Sequence, residues 1–244
     1  MKKFLPVIHV TNNTNVLWNN IDICIEAKVD GIFLISHGFK MAKELIIIRK
    51  EIKRRYPELW VGFNFLELDG WDTFSFLEGQ GWNPEGIWID NSHVGVNNTK
   101  ALKLQDIWQG VLNRNYSSID TYEMKYFGGV AFKYLQQPKD LKQATIDAID
   151  KMDIVTTSGE KTGKSASISK VKIMHDALDG KKPLALASGI SIENINDYLP
   201  YVDYYLVSSS ISNSHDELNK EKTIELSNAI HDYKIAEIKL RKKR

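Results

Sequence analysis

Cysteine is almost absent from this chain: Cys24 is alone among 244 residues. No intrachain disulfide can form, and a cysteine-rich zinc site is excluded. The apolar neighbours Ile21, Ile23 and Ile25 make a buried structural thiol the expected state of Cys24. Long hydrophobic runs are missing too. None approaches the ~18 residues of a membrane span, and the apolar stretch in Met1-Lys2-Lys3-Phe4-Leu5-Pro6 is too short for a signal peptide. The expected compartment is therefore the cytosol, with no membrane partner. Neither sign of charge prevails, since 32 Lys and Arg against 31 Asp and Glu leave a net charge of +1. No global field favours nucleic acid. The local exception, Lys239-Leu240-Arg241-Lys242-Lys243-Arg244, reads as a solvated, frayed tail over residues 237–244.

What the chain does have is an alternation of short apolar runs with longer amphipathic stretches. Runs of four to eight residues rich in β-branched and aromatic side chains read as buried parallel strands. They are Phe4 to Val10, Gly31 to Ser36, Trp60 to Leu66, Gly86 to Asn91, Tyr126 to Phe132, Asp153 to Ser158, Pro183 to Ser188 and Tyr204 to Ser208. The clearest helical stretches between them are Asn15 to Ala27, Lys40 to Arg55, Lys139 to Lys151, Ser167 to Leu178 and Asp216 to Tyr233. Pro138 suits a first helical turn, Gly180 a helix C-terminus, and Ser191 an N-cap. Helix boundaries within Asn97 to Tyr122 are not legible. No Gly/Ser/Pro linker divides the chain. Eight βα units in this length predict an α/β protein, a single (β/α)8 TIM barrel over residues 1–236. The open doubly wound sheet is disfavoured, because the first strand leads into Thr11-Asn12-Asn13-Thr14 rather than a Gly-x-Gly-x-x-Gly turn.

Chemistry in such barrels sits at the C-terminal ends of the strands. In order, those ends carry His9 and Asn12; Ser36, His37 and Gly38; Asn64, Glu67 and Asp69; Asp90, Asn91 and His93; Lys133 and Tyr134; Thr157 to Gly163; Ser188 and Gly189; and Ser208 to Ser210. Asp90 is the candidate acid/base, because a buried strand, Ile87-Trp88-Ile89, delivers its carboxylate to the rim, where burial can raise its pKa. His9, Asn64 and Lys133 are expected to orient or polarise a substrate. Period-two alternation puts Lys133 above Phe127, Gly129 and Ala131, with space near the barrel axis. A Schiff-base role for Lys133 is possible, and a phosphate-neutralising or ion-paired role is preferred. A phosphate cradle is expected from Ser188 and Gly189 after the seventh strand and Ser208 and Ser209 after the eighth. Close backbone approach at Gly189 and helix N-terminal fields would assist it. The segment Ser158, Gly159, Glu160, Lys161, Thr162, Gly163 is long enough to close over a polyanion. It is one residue short of Walker spacing. No cofactor is expected. Mg²⁺ held by Glu67, Asp69 and Asp90 is the weaker alternative, and zinc on His9, His37 and His93 weaker still, since their spacing is no motif.

Several of these segments resemble the BtpA-like family: Asp153-Ile154-Val155-Thr156-Thr157-Ser158-Gly159 with Thr162-Gly163, Pro183 to Ile190 followed by Glu193-Asn194, Val7-Ile8-His9, Gly62-Phe63-Asn64 and Val130 to Lys133. The chain departs from that family at Ser36-His37 and at Thr11 to Thr14, both at the expected site. The resemblance implies a ribulose-phosphate-binding type of barrel, some relatives of which carry a phosphoribosyltransferase label. The expected function is therefore an enzyme acting on a phosphorylated small molecule, by phosphoribosyl-type glycosyl transfer or by lyase or isomerase chemistry. The alternative is a non-catalytic ligand-sensing or assembly-factor barrel. Barrels of this class often pair through helix faces, so a homodimer is expected.

Overall fold

A computed structural model describes residues 2–36, 39–66, 68–80, 84–115 and 124–241. Its eight strands are β1 (Lys3–His9), β2 (Ile32–Ser36), β3 (Val61–Phe65), β4 (Gly86–Ile89), β5 (Lys125–Gly129), β6 (Ile154–Ser158), β7 (Leu184–Ala187) and β8 (Tyr204–Val207). All pair in parallel, each with its sequence neighbour, and β8 returns to β1 to close the barrel. The helices are α1 (Thr14–Glu26), α2 (Phe39–Arg55), α3 (Gly70–Gln80), α4 (Asn98–Asn115), α5 (Leu141–Ala148), α6 (Ile168–Leu178), α7 (Ile195–Tyr198) and α8 (Lys220–Arg241). The protein is thus a single (β/α)8 TIM barrel. Among the described residues, no helix is long and apolar enough to cross a membrane.

Alternation along each strand sorts side chains into two cores. Outward residues such as Ile8, Phe63, Ile87, Val155 and Leu186 pack against the helices, where Cys24 is fully buried as well. Inward residues fill the barrel. There Phe33 meets Phe127 at 5.1 Å, Trp60 at 5.3 Å and Trp88 at 5.6 Å, all edge to face. Gly62 and Gly86 stand at inward positions because a Cβ there would lie within 2.4 Å of a Phe33 or Trp60 ring atom. The expected open space along the axis therefore does not exist. Aromatic rings plug the middle of the barrel, and the larger opening lies above Trp88.

Several helix starts differ from expectation. Asp140, not Pro138, begins α5, accepting at Oδ1 from the Gln143 N–H at 2.9 Å. Ser191 caps nothing with its side chain; its carbonyl starts a turn that becomes helical only at Ile195. The last helix begins at Lys220 rather than Asp216, because Asn219 takes the cap and accepts from the Lys222 N–H at 2.9 Å. Ser167 caps α6 at 3.2 Å, and the chain leaves that helix through left-handed Asp179 and Gly180. In the unclear region α4 ends at Asn115, and residues 116–123 lie outside the described set.

Candidate functional site at the C-terminal end of the barrel

A cavity of about 690 Å³ opens above the aromatic plug. Its floor is Val7, Ile35, Trp88 and Leu206, all inward residues of the last barrel layer. The polar residues that alternation delivers one layer higher form its wall, among them His9 at the end of β1 and Asp90 just beyond β4. Asn64 of β3 is 2% exposed and donates from Nδ2 to Asp90 Oδ1 at 3.2 Å. The hydrogen bond fixes the carboxylate's rotation. Asp90 keeps part of its surface open to the cavity, yet the protein crowds it closely. Burial pushes its pKa up to about 6, against the opposing pull of the Lys133 ammonium and the Asn64 hydrogen bond.

Lys133 reaches the same cavity by a route different from the one expected. β5 stops at Gly129, and Ala131 takes φ 51°, which ends the alternation. Lys133 then lies in a turn whose N–H donates to Ser158 Oγ at 2.8 Å. Gly129 opens no space at the axis; it admits the Asp90 carbonyl, which a Cβ would meet at 1.9 Å. Lys133 Nζ donates to Ser188 Oγ at 3.0 Å and to Thr162 Oγ1 at 3.3 Å. Burial holds its pKa below the ordinary lysine value, while Asp90 pulls it back up. Asp90 and Lys133 are thus a partly desolvated pair of opposite charge, one able to take a proton and the other to polarise an oxygen.

The segments after β6, β7 and β8 meet beside this pair. Ser188, Gly189, Ser208, Ser209 and Thr162 line the main cavity, and Gly163, Lys164, Gly189 and Ser209 line an adjoining recess of about 540 Å³. Ser188 and Gly189 both sit at φ 73°. A Cβ on Gly189 would lie 2.0 Å from the Ser165 backbone nitrogen, so its missing side chain makes way for the 159–165 loop rather than for an anion. Gly159 is likewise packed under that loop, with a Cβ 2.1 Å from the Lys164 carbonyl oxygen. Ser158 does not reach either cavity. Its hydroxyl accepts from Lys133 N–H and donates to the Gly159 carbonyl at 3.0 Å. The expected helix-end field is weak as well, since Ser209–Ile211 is one 3-10 turn, α7 has four residues, and α8 begins only at Lys220. Turn backbone, hydroxyls and Lys164 would have to hold an anion here.

Other candidates lie apart. Asp69 caps α3, accepting from the Asp72 N–H at 2.9 Å, and shares a separate recess with His93, Trp71 and Lys100. Asp69 therefore does not join Asp90 around a cation. Glu67, His37 and Gly38 fall outside the described residues. Among the described residues, no three His, Cys, Asp or Glu side chains gather closely enough to hold a metal. Tyr134 stood among the strand-end residues without an assigned role, and two further contributors, His215 and Lys170, went unseen in the sequence. Tyr134 accepts at its hydroxyl from the Thr162 N–H at 3.0 Å. His215, from the loop after β8, lines the cavity with its ring 4.3 Å from that of His9. Lys170 of α6 donates to the Ala131 carbonyl at 2.5 Å and to the Ser158 carbonyl at 2.7 Å, tying the β5 and β6 turns together. Burial lowers the Lys170 pKa to about 8. The helical spacing of Lys170 gave no sign of this, because its partners belong to other βα units.

Fold and rim together define a class: a parallel (β/α)8 barrel with a partly desolvated carboxylate and lysine and a hydroxyl-lined recess at the C-terminal end of its strands. The chain is similar to several solved barrels. It superposes on phosphoribosyl anthranilate isomerase from Thermus thermophilus with a TM-score of 0.59 at 10% identity, covering 93% of this chain and 98% of the other. For thiamine phosphate pyrophosphorylase from Pyrococcus furiosus the values are 0.59, 12%, 95% and 96%. For the tryptophan synthase alpha subunit from Legionella pneumophila they are 0.63, 10%, 95% and 93%. At these identities the likeness shows the fold alone. In sequence, an uncharacterized Methanocaldococcus jannaschii protein, MJ1115, is 25% identical over 109 residues, 42% of this chain and 41% of that relative. No family model matches the chain.

Proposed function

We propose that the protein is an enzyme acting on a phosphorylated small molecule, with Asp90 as general acid/base and Lys133 as its electrostatic partner. The observation that carries this reading is the Asp90–Lys133 pair at the base of a 690 Å³ cavity, beside the Ser188-Gly189 and Ser208-Ser209 turns. Desolvating two ionisable groups costs stability, and a purely structural barrel has no use for that cost. A carboxyl with a pKa near 6 can exist in both protonation states near neutral pH, as proton transfer requires. The phosphate would sit in the recess next to Gly163, Lys164 and Ser209, and the reacting carbon would lie over Trp88 beside Asp90. His9 and Asn64 orient the substrate and the base, respectively.

The names of two similar barrels, phosphoribosyl anthranilate isomerase and thiamine phosphate pyrophosphorylase, support a phosphorylated substrate. Proton transfer between neighbouring atoms, as in isomerase or lyase chemistry, suits the Asp90–Lys133 pair better than phosphoribosyl transfer. Among the described residues, Asp90 is the carboxylate that lines the cavity with Lys133. A BtpA-type assembly role leaves the desolvated pair without a purpose.

The test is turnover of a panel of phosphorylated aldoses and ketoses, with inorganic phosphate as competitor. Lys164→Met should weaken phosphorylated ligands about tenfold or more, the worth of one charge-assisted hydrogen bond, while sparing their dephosphorylated analogues. No turnover across the panel, together with no phosphate competition, would overturn the reading.

A further inference from the structure

The loop between β8 and α8 is longer than a barrel turn needs, and it is held with unusual care. Asn213 N–H donates to the Glu217 carbonyl at 2.8 Å, and Asn219 Nδ2 donates to Asn213 Oδ1 at 2.7 Å. Ser212 and Leu218 form an antiparallel bridge, and the Ser212 hydroxyl donates to the Ser208 carbonyl at 2.9 Å. Helix α1 supplies the strongest brace. Asn20, 1% exposed, donates from Nδ2 to the Asp216 carbonyl at 2.7 Å and accepts at Oδ1 from the Leu218 N–H at 2.9 Å. A buried amide that satisfies both its dipoles on one loop leaves that loop little freedom.

What this bracing presents is His215. Its ring lines the cavity and lies 4.3 Å from the ring of His9. Its Nδ1 is 2.5 Å from Asp216 Oδ1. A carboxylate can only accept, so Nδ1 carries a proton in this contact, and Nε2 becomes the nitrogen at which a proton is exchanged. The strand order around the closed barrel then fixes the geometry. β1, which ends in His9, and β8, whose following loop holds His215, lie across the barrel from β4 and β5, whose following turns hold Asp90 and Lys133. Any substrate in the cavity lies between the two sets.

We propose that His215, oriented by Asp216, is a second proton-transfer group of this site, working opposite Asp90 on α-hydroxycarbonyl compounds with a phosphate arm. The proposal rests on the acid–base reading above and adds its second partner. In the forward step the Asp90 carboxylate takes the proton from the carbon bearing the hydroxyl. The C–H electron pair becomes a C=C bond, and the carbonyl π pair moves to oxygen. The His215 imidazolium gives its Nε2 proton to that oxygen, leaving an enediol, a neutral imidazole and a protonated Asp90. In the return step Asp90 delivers its proton to the former carbonyl carbon, and the enediol π pair forms that bond. The neighbouring hydroxyl becomes the new carbonyl as His215 Nε2 takes its proton. Both side chains end as they began, and no further reactant is needed.

Two measurements on the full chain test this. The first is the His215 tautomer, read from ¹⁵N chemical shifts of the imidazole. Neutral His215 should carry its proton on Nδ1, and Asp216→Asn should abolish that preference. A proton on Nε2, or a tautomer indifferent to Asp216→Asn, overturns the proposal. The second uses phosphorylated aldoses and ketoses of three to six carbons in deuterated water. His215→Gln should lower kcat about 10²-fold with KM within about threefold, the usual scale for losing one acid/base, while Asp90-dependent deuterium incorporation persists. A parent-like kcat in His215→Gln overturns this proposal and leaves the Asp90 reading standing. An inert parent enzyme across the panel overturns both.

Discussion

At the scale of single residues, the role proposed for Asp90 and the stability of the fold pull against each other. Its ordinary value of 3.8 rises to about 6 in the fold, chiefly through burial. A carboxyl raised in the folded state penalises the native protein once it ionises. The penalty is absent below pH 3.8, grows up to about pH 6, and is full above that. Its size is about 2–3 kcal/mol, at 1.36 kcal/mol per pH unit. Asp90→Asn keeps the acceptor that Asn64 uses and removes the charge. Activity should fall ~10²-fold or more, and thermal melting at pH 8 should rise by several degrees, about 2–4 °C per kcal/mol in a chain of this size. The gain in melting temperature should shrink towards zero near pH 4. Parallel melting curves at both pH values, or an unchanged kcat, would assign Asp90 to a structural turn. The sequence nominated Asp90 because a buried strand ends in its carboxylate, and the structure puts it in the cavity wall. The sequence did not nominate Lys170, because its role depends on two carbonyls brought to it by other units.

At the scale of elements, the βα turns carry the site by packing on one another. Gly189 shows this most directly. Its φ of 73° and the Ser165 nitrogen, which an added Cβ would meet at 2.0 Å, leave no place for a side chain. Gly189→Val should therefore cost about 3 kcal/mol or more, since left-handed strain adds to a backbone clash. Urea denaturation should show it as a lowered midpoint at unchanged slope. A variant of parent stability would mean that the β7 turn and the 159–165 loop do not pack as described. Asn20 plays the matching part between α1 and the loop after β8. Asn20→Ala strands the Leu218 N–H and the Asp216 carbonyl, both placed by a 1% exposed side chain. The expected cost is about 2–4 kcal/mol, at about 1–3 kcal/mol per unsatisfied buried group. Amide exchange at Leu218 should accelerate in this variant, and unchanged protection there would contradict the brace.

At the scale of the whole molecule, closure of the barrel and the fate of its outer surface are separate matters. Closure removes every sheet edge, so association has to use helices and loops. Trp71 is 55% exposed on α3 and Leu102 52% exposed on α4, an unusual exposure for large apolar side chains on neighbouring helices. We propose that this face pairs two copies of the chain. Static light scattering at micromolar concentration should give twice the 27.9 kDa chain mass, and Leu102→Glu should return the mass to one chain. A monomeric parent would refute it.

The order and number of the strands were determined by the sequence alone. Buried parallel strands need both faces apolar, which leaves eight short hydrophobic runs that punctuation by turns and helices makes countable; seven observed strands end within two residues of their runs, and β5 stops three residues short of Phe132. Position at a strand end likewise sufficed to nominate Asp90, Lys133, His9 and Ser188. Tertiary structure decided the rest. Alternation stops where the backbone leaves the strand, so the turn at Ala131 and not strand register put Lys133 beside Ser188. The aromatic plug closed an axis that small residues had suggested was open, because Phe33 and Trp60 fill it from other strands. His215 joined the site only because a buried amide on α1 holds a loop nearly 200 residues away in sequence. Such pairings belong to the closed barrel, whose ends bring the first and last units together, and no local pattern of residues records them.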